Sequence, residues 1–244
     1  MEYVFVPGAW HGGWSWHPVA QRVARAGDRA VALTMPGLSA GDDPRELRLA
    51  DAVAYLVDQV ERRDLTDVVL VGHSWGGIPI AGAARQLGRR LRAIAMVSAF
   101  VPRGGESMAE AMGPAVGEYV RATIEAAPDH AIGVDFAAFR ESLMQDEPEN
   151  LQRLVHELLV PQPGGYMLDS LDVVDLAGLD VPMTYLLAER DRALAAPGAE
   201  LAARLGVEPV LVPGTHEAII THADDVAKAL QASLESCGSV RRRR

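Results

Sequence analysis

DVVLVGHSWGGIPIAGAARQLG, residues 67–88, carries the signature from which the rest of the chain can be placed. Val68 to Val71 is a short unbroken apolar run, the pattern of a strand covered on both faces. Gly72-His73-Ser74-Trp75-Gly76-Gly77 follows, and then a small-residue helical run from Ile80 to Leu87. Strand, tight turn and helix with Gly-x-Ser-x-Gly at the turn is the spacing of a nucleophile elbow. The serine is forced into a strained conformation there, and glycine at 72 and 76 removes side chains that would strike the strand and the helix. The N–H groups after Ser74 open a helix whose dipole favours negative charge at that point.

Short apolar strands and helices alternate on either side. Tyr3–Val6, Ala30–Leu33, Ala93–Val97, Pro182–Ala188 and Pro209–Val212 read as strands. Helices are expected at about 16–25, 49–62, 198–205 and 223–234. The expected fold is α/β, a mostly parallel central sheet with helices on both faces. The rhythm breaks near Phe100. Residues 101–180 show helix-like stretches at 108–112, 117–126, 136–144 and 150–159 and no convincing strand, so they read as a helical cap inserted into a core made of 1–100 and 181–238. Residues 239–244 read as a basic tail, unstructured or a cloning remnant.

The bulk properties restrict the partners. The 244 residues carry a formal charge of −10 although the last four, Arg241 to Arg244, are positive. So acidic a body argues against nucleic acid and anionic membrane surfaces and for a small-molecule substrate. Cys237 is the only cysteine, which excludes an intrachain disulfide and a thiolate metal cluster. No leader and no run of 18 apolar residues is found, so the expectation is a soluble, cytoplasmic protein with neither metal nor cofactor. His130 and His156 lack metal-ligand spacing.

Sites on parallel sheets lie beyond the C-terminal ends of strands, and two further groups stand there. The strand ending at Ala188 runs into Glu189-Arg190-Asp191, and the strand ending at Val212 runs into Gly214-Thr215-His216-Glu217. A serine hydroxyl becomes nucleophilic when an imidazole takes its proton, and a carboxylate on the other ring nitrogen fixes the tautomer. The chain order Ser74, Asp191, His216 suits such a triad. Glu189 is the main rival acid, with Asp175 and Asp180 weaker, and His222 is the rival base. For the oxyanion hole, the N–H of Trp75 follows the nucleophile and the N–H of Ala9 comes from the Gly-rich loop after the first strand, with Trp10 as its alternative. Trp10, Trp14, Met108, Met112, Tyr119, Phe136, Phe139 and Met144, with Tyr166 and Met167, would line an apolar pocket, although most could equally be packing residues.

Val-Pro-Gly-Ala-Trp-His-Gly-Gly-Trp (6–14), Gly-His-Ser-Trp-Gly-Gly (72–77), Glu-Arg-Asp (189–191) and Gly-Thr-His (214–216) together resemble the α/β-hydrolase superfamily, nearest its small methyl-esterase and hydroxynitrile-lyase-like branch. The resemblance implies a serine hydrolase of esterase type, acting on an ester, thioester or lactone of a small-to-medium apolar substrate. The lyases of that branch carry lysine after the histidine and threonine in the oxyanion loop. Glu217 and Gly8 stand at those positions here, so the resemblance implies an esterase and not a lyase. Ser74 likewise departs from the aspartate nucleophile of haloalkane dehalogenases and most epoxide hydrolases. Acyl transfer, cyclisation, cofactor-free oxygen chemistry and a non-catalytic ligand-binding role remain the alternatives.

Overall fold

A computed structural model describes residues 1–172 and 176–241, with side chains described to Glu235. Asp175, the side chain of Cys237 and residues 242–244 lie outside it. The first half of the chain is β1 (Glu2–Val6), α1 (His17–Arg25), β2 (Arg29–Ala32), α2 (Leu49–Arg62), β3 (Val68–His73), α3 (Gly77–Leu87) and β4 (Leu91–Val97). The intervening segment holds α4 (Met108–Ala111), α5 (Pro114–Ala126), β5 (Ala131–Ile132), α6 (Phe136–Ser142), α7 (Glu149–Glu157), β6 (Gln162–Pro163) and α8 (Gly164–Leu168). The chain closes with β7 (Met183–Ala188), α9 (Gly198–Ala203), β8 (Pro209–Val212), α10 (Ala218–Thr221) and α11 (Ala223–Arg241).

Six strands form one sheet in the order β2-β1-β3-β4-β7-β8, and every pairing in it is parallel. The inner strands are mostly apolar because alternate residues feed two different cores. On one face Val4, Val6, Val68, Leu70, Ile94 and Met96 join Leu56 and Val60 of α2 and Ile80 and Leu87 of α3. On the other, Tyr3, Phe5, Val69, Val71, Ala93 and Ala95 join Val19 and Val23 of α1 and Val226, Leu230 and Leu234 of α11. Burying each such aliphatic contributes about 1.5–3 kcal/mol, so a one-residue slip of any inner strand would exchange the two faces at a cost of several such terms.

Two departures from the sequence reading stand out. The intervening segment contains the antiparallel pair β5–β6, with Ala131 opposite Pro163 and Ile132 opposite Gln162. Strands of two residues, one of them Pro163, leave no alternation to detect. The last helix also continues past Leu234 to Arg241, into the stretch expected to be an unstructured tail.

The chain enters the sheet at β1, moves outward to β2 and returns on the other side of β1 to β3. That reversal opens a crevice beyond the C-terminal ends of β1 and β3, the place where parallel sheets bind ligands. Ala9 leaves one of these strands and Ser74 the other.

Candidate active site

Ser74 follows β3 directly, opens a single 3-10 turn (Ser74–Gly76) and adopts φ +51°. The glycines beside it leave no choice. A Cβ on Gly76 would stand 2.6 Å from the carbonyl oxygen of Val6 and 2.7 Å from that of Pro7, and one on Gly72 would strike Ile80 at 2.8 Å. The Ser74 carbonyl accepts the N–H of Phe100 at 2.9 Å, which ties the elbow to the end of β4. Trp10 (φ +68°) and Ser98 (φ +44°) also hold left-handed backbone, so three non-glycine residues in this conformation follow three neighbouring strands.

The structure brings His216 and Asp191 together. The Nδ1–H of His216 donates to Asp191 Oδ2 at 2.8 Å, with both side chains at least 97% shielded. Asp191 also accepts the Ala193 N–H at 2.8 Å and the Ser98 hydroxyl. Burial alone would raise its carboxyl, but the charge and hydrogen bond of His216, with Ser98 and Ala193, outweigh that and hold it down at about 2. For His216 burial works downward, and Asp191 together with Glu217 overcomes it, so the imidazole is raised above its ordinary value. Nδ1 being the donor, Nε2 keeps the lone pair a base requires. Among the described residues no hydrogen bond joins it to the Ser74 hydroxyl; such bonds tighten on substrate binding.

His73 connects the elbow to the His216 loop. Its Nε2–H donates to the His216 carbonyl at 3.0 Å, and the two rings stand 4.6 Å apart. Burial first, then the neighbouring His216 and His11, push its pKa well down, which keeps it neutral. His73, His216 and Glu217 bring ligand-type atoms within 4.8 Å of one another, a spacing a metal could bridge. One ring nitrogen of each histidine is already engaged by a protein acceptor.

The rivals lie elsewhere. Glu189 and Asp180 are exposed, and His222 turns its Nδ1 to the Thr221 hydroxyl at 2.9 Å. The N–H groups of Ala9 and Trp75 make no hydrogen bond among the described residues, while the Trp10 N–H donates to Gln162 Oε1 at 2.9 Å. Trp10 is therefore unsuited to the oxyanion role kept open for it. Two more bonds fix it to the intervening segment: its indole N–H donates to the Ile132 carbonyl at 2.8 Å, and its own carbonyl accepts the Val160 N–H at 3.0 Å.

The residues expected to line a pocket do not stay together. Phe139 and Met144 are buried in one apolar cluster with Trp10, Trp14, Phe136 and Ile220. Met108, Met112, Tyr166 and Met167 belong to the core on the α2–α3 face, where Tyr166 stacks on Trp75 with ring centroids 4.9 Å apart. Tyr119 is 66% exposed on α5 and corrects the expectation that it lines the site. The helical period showed which residues share a face of α5 and not which face turns inward. Clefts of about 690 and 230 Å³ lie at Arg140–Gln152 with Arg192, and at Ala109–Arg121, and neither is lined by Ser74. The sequence reading gave Ser98, His11 and His73 no role and used Glu217 only to set the chain apart from the lyases, although each stands at a strand's C-terminal end or beside a motif.

A family model described as "Alpha/beta hydrolase family" matches residues 3–229. A carbendazim hydrolyzing esterase from Nocardioides sp. (strain SG-4G) is 35% identical over 109 residues, 44% of this chain and 45% of that protein. Salicylic acid-binding protein 2 of Nicotiana tabacum is 35% identical over 106 residues, 41% of this chain and 40% of the other. Each match thus spans less than half of the relative's length. A solved extracellular alpha/beta-hydrolase from a Paenibacillus species superposes with a TM-score of 0.89 at 22% identity, over 96% of this chain and 98% of that one, a likeness of fold.

Proposed function

Because the chain belongs to the alpha/beta hydrolase family, we propose that it is a serine esterase whose triad is Ser74, His216 and Asp191. The reading rests above all on the buried Asp191–His216 hydrogen bond beside an elbow serine at φ +51°. His216, held as the Nδ1–H tautomer, takes the Ser74 proton through Nε2 as the hydroxyl attacks the carbonyl of an ester, thioester or lactone. The Ala9 and Trp75 N–H groups receive the oxyanion, each donor being worth roughly 3–4 kcal/mol in the transition state. His216 then protonates the leaving group and activates the water that releases the acyl group. The helices between β4 and β7 are read as a cap, and the apolar cluster around Trp10, Trp14, Phe139 and Met144 as the part that parts to admit a small-to-medium apolar acyl group. Relatives named as esterases support this reaction class.

A fluorophosphonate probe followed by intact-mass measurement tests the assignment. One adduct is expected on the unaltered protein and none on Ser74→Ala, whose hydrolysis of an activated ester should fall by at least about 10⁴-fold. An unaltered protein that takes no label, or a variant that hydrolyses normally, would sink the reading. The first outcome would favour a ligand-binding role.

A further inference from the structure

Behind the proposed base lie ionisable side chains that the acyl-transfer scheme leaves unused. Glu217 is fully buried, and neither of its carboxylate oxygens has a hydrogen-bond partner. His11, in the loop after β1, is 1% exposed, and its Nε2 stands 3.5 Å from Glu217 Oε1, likewise without a hydrogen bond. Its other nitrogen, Nδ1, lies 2.7 Å from the carbonyl oxygen of Ala9. One residue thus touches the proposed oxyanion loop at one end and, at the other, the neighbour of the proposed base.

The protonation of this contact follows from donor and acceptor chemistry. A carbonyl oxygen only accepts, so Nδ1 of His11 carries a hydrogen. Nε2 then faces a carboxylate oxygen. Two lone pairs set against each other in a buried site are repulsive, and a lone carboxylate there would be costly. A proton on His11 Nε2 removes both penalties and leaves the pair with no net charge, its negative end being the Glu217 carboxylate, which lies within 4.8 Å of a His216 ring nitrogen. His73 cannot supply that proton, because its Nε2–H is given to the His216 carbonyl and its Nδ1 is a lone pair.

We infer that His11 and Glu217 share one buried proton, and that the pair is a positioning device locking the Ala9 loop to the His216 loop while the Glu217 carboxyl sets how strongly His216 binds a proton. The second half of this statement rests on the proposed function; the first does not. His216 is faced by Asp191 from the loop after β7, by His73 from β3, and by Glu217 with His11 behind it. The C-terminal end of α6 reaches Glu217 through the Leu143 carbonyl, which accepts its N–H at 3.3 Å. The raised proton affinity of His216, to which Glu217 contributes, agrees in sign.

Two measurements on the full chain test the pair. In urea unfolding, His11→Gln leaves Glu217 buried without its proton partner and should lower the folding equilibrium constant by roughly a hundredfold. His11→Gln with Glu217→Gln should recover about tenfold or more of that loss, since paired sites are not additive. Additive losses would overturn the shared proton. In the pH profile of kcat/KM, Glu217→Gln should move the acidic limb to lower pH by about one unit, because the negative end of the pair, the one beside His216, is removed. A lower plateau with the limb unmoved would reduce Glu217 to a packing residue and overturn its charge-setting role. Should a variant fail to fold, ¹⁵N NMR of the unaltered protein with labelled histidine decides: both ring nitrogens of His11 are expected to be protonated, and an unprotonated Nε2 overturns the inference. If the unaltered protein shows no Ser74-dependent turnover, the proposed function falls while the unfolding cycle still reads the pair. If turnover is present and the cycle is additive, the inference alone falls.

Discussion

Left-handed backbone costs a residue with a side chain about 1–2 kcal/mol, and Trp10, Ser74 and Ser98 each hold it at the same edge of the sheet. At each the strain turns a polar group toward a place where it is used. Ser98 lends its hydroxyl to Asp191, Ser74 sits where the elbow lifts it, and the Trp10 turn leaves the Ala9 N–H without a protein partner. Asp191→Asn should preserve this geometry yet lower kcat by about 10⁴-fold, since an amide favours the wrong imidazole tautomer; near-normal turnover of an activated ester would assign the acid elsewhere. The same carboxylate makes stability depend on pH. Its folded value, about 2, lies below the unfolded value of roughly 3.9, so its contribution is full above pH 4 and is lost as pH falls toward 2. The gap in unfolding free energy between the unaltered protein and Asp191→Asn should therefore narrow across that window, and a constant gap in urea titrations would show that the carboxylate is not selectively stabilised.

Among the elements, the short pair β5–β6 matters more for the site than its length suggests. Gln162 of β6 takes the Trp10 N–H, and the Ile132 carbonyl of β5 takes the Trp10 indole, so the intervening segment clamps the loop that presents Ala9. Gln162→Ala releases that amide and lets the loop drift from its alignment. A displacement near 1 Å in a reacting geometry costs up to about a hundredfold, so kcat on an activated ester should fall by roughly ten- to a hundredfold while KM changes much less. A rise in KM with kcat intact would mean that Gln162 serves binding and not the oxyanion loop. The elbow glycines act at this scale too. They let the elbow close around Ser74 at distances no Cβ would tolerate, Gly76 against the main chain after β1 and Gly72 against the Ile80 side chain.

Across the whole molecule, a charge of −10 surrounds a site at the reversal between β1 and β3. That field slows the approach of anionic esters and leaves neutral ones untouched. Raising salt from low to physiological strength should therefore increase kcat/KM for an anionic ester severalfold relative to a neutral analogue, and equal responses would show that the site is shielded from the net charge. At this scale too, what could be read from the sequence separates from what could not. The strand–helix alternation, the elbow and the places of Ser74, Asp191 and His216 just past strand ends were legible because each depends on local pattern: apolar runs covered on both faces, glycines where a Cβ would collide, polar residues at strand ends. Asp191 and Glu189, two positions apart at one strand end, could be separated only by the fold, which buries one beside His216 and exposes the other. The inward face of α5, the clamp from Gln162 to Trp10 and the approach of His11 to Glu217 likewise exist only in three dimensions. Sequence alone determined which chemistry this chain could assemble, because backbone sterics and hydrophobic periodicity act between near neighbours. Tertiary structure alone decided which carboxylates and imidazoles share a buried space, because that depends on how distant loops are brought together.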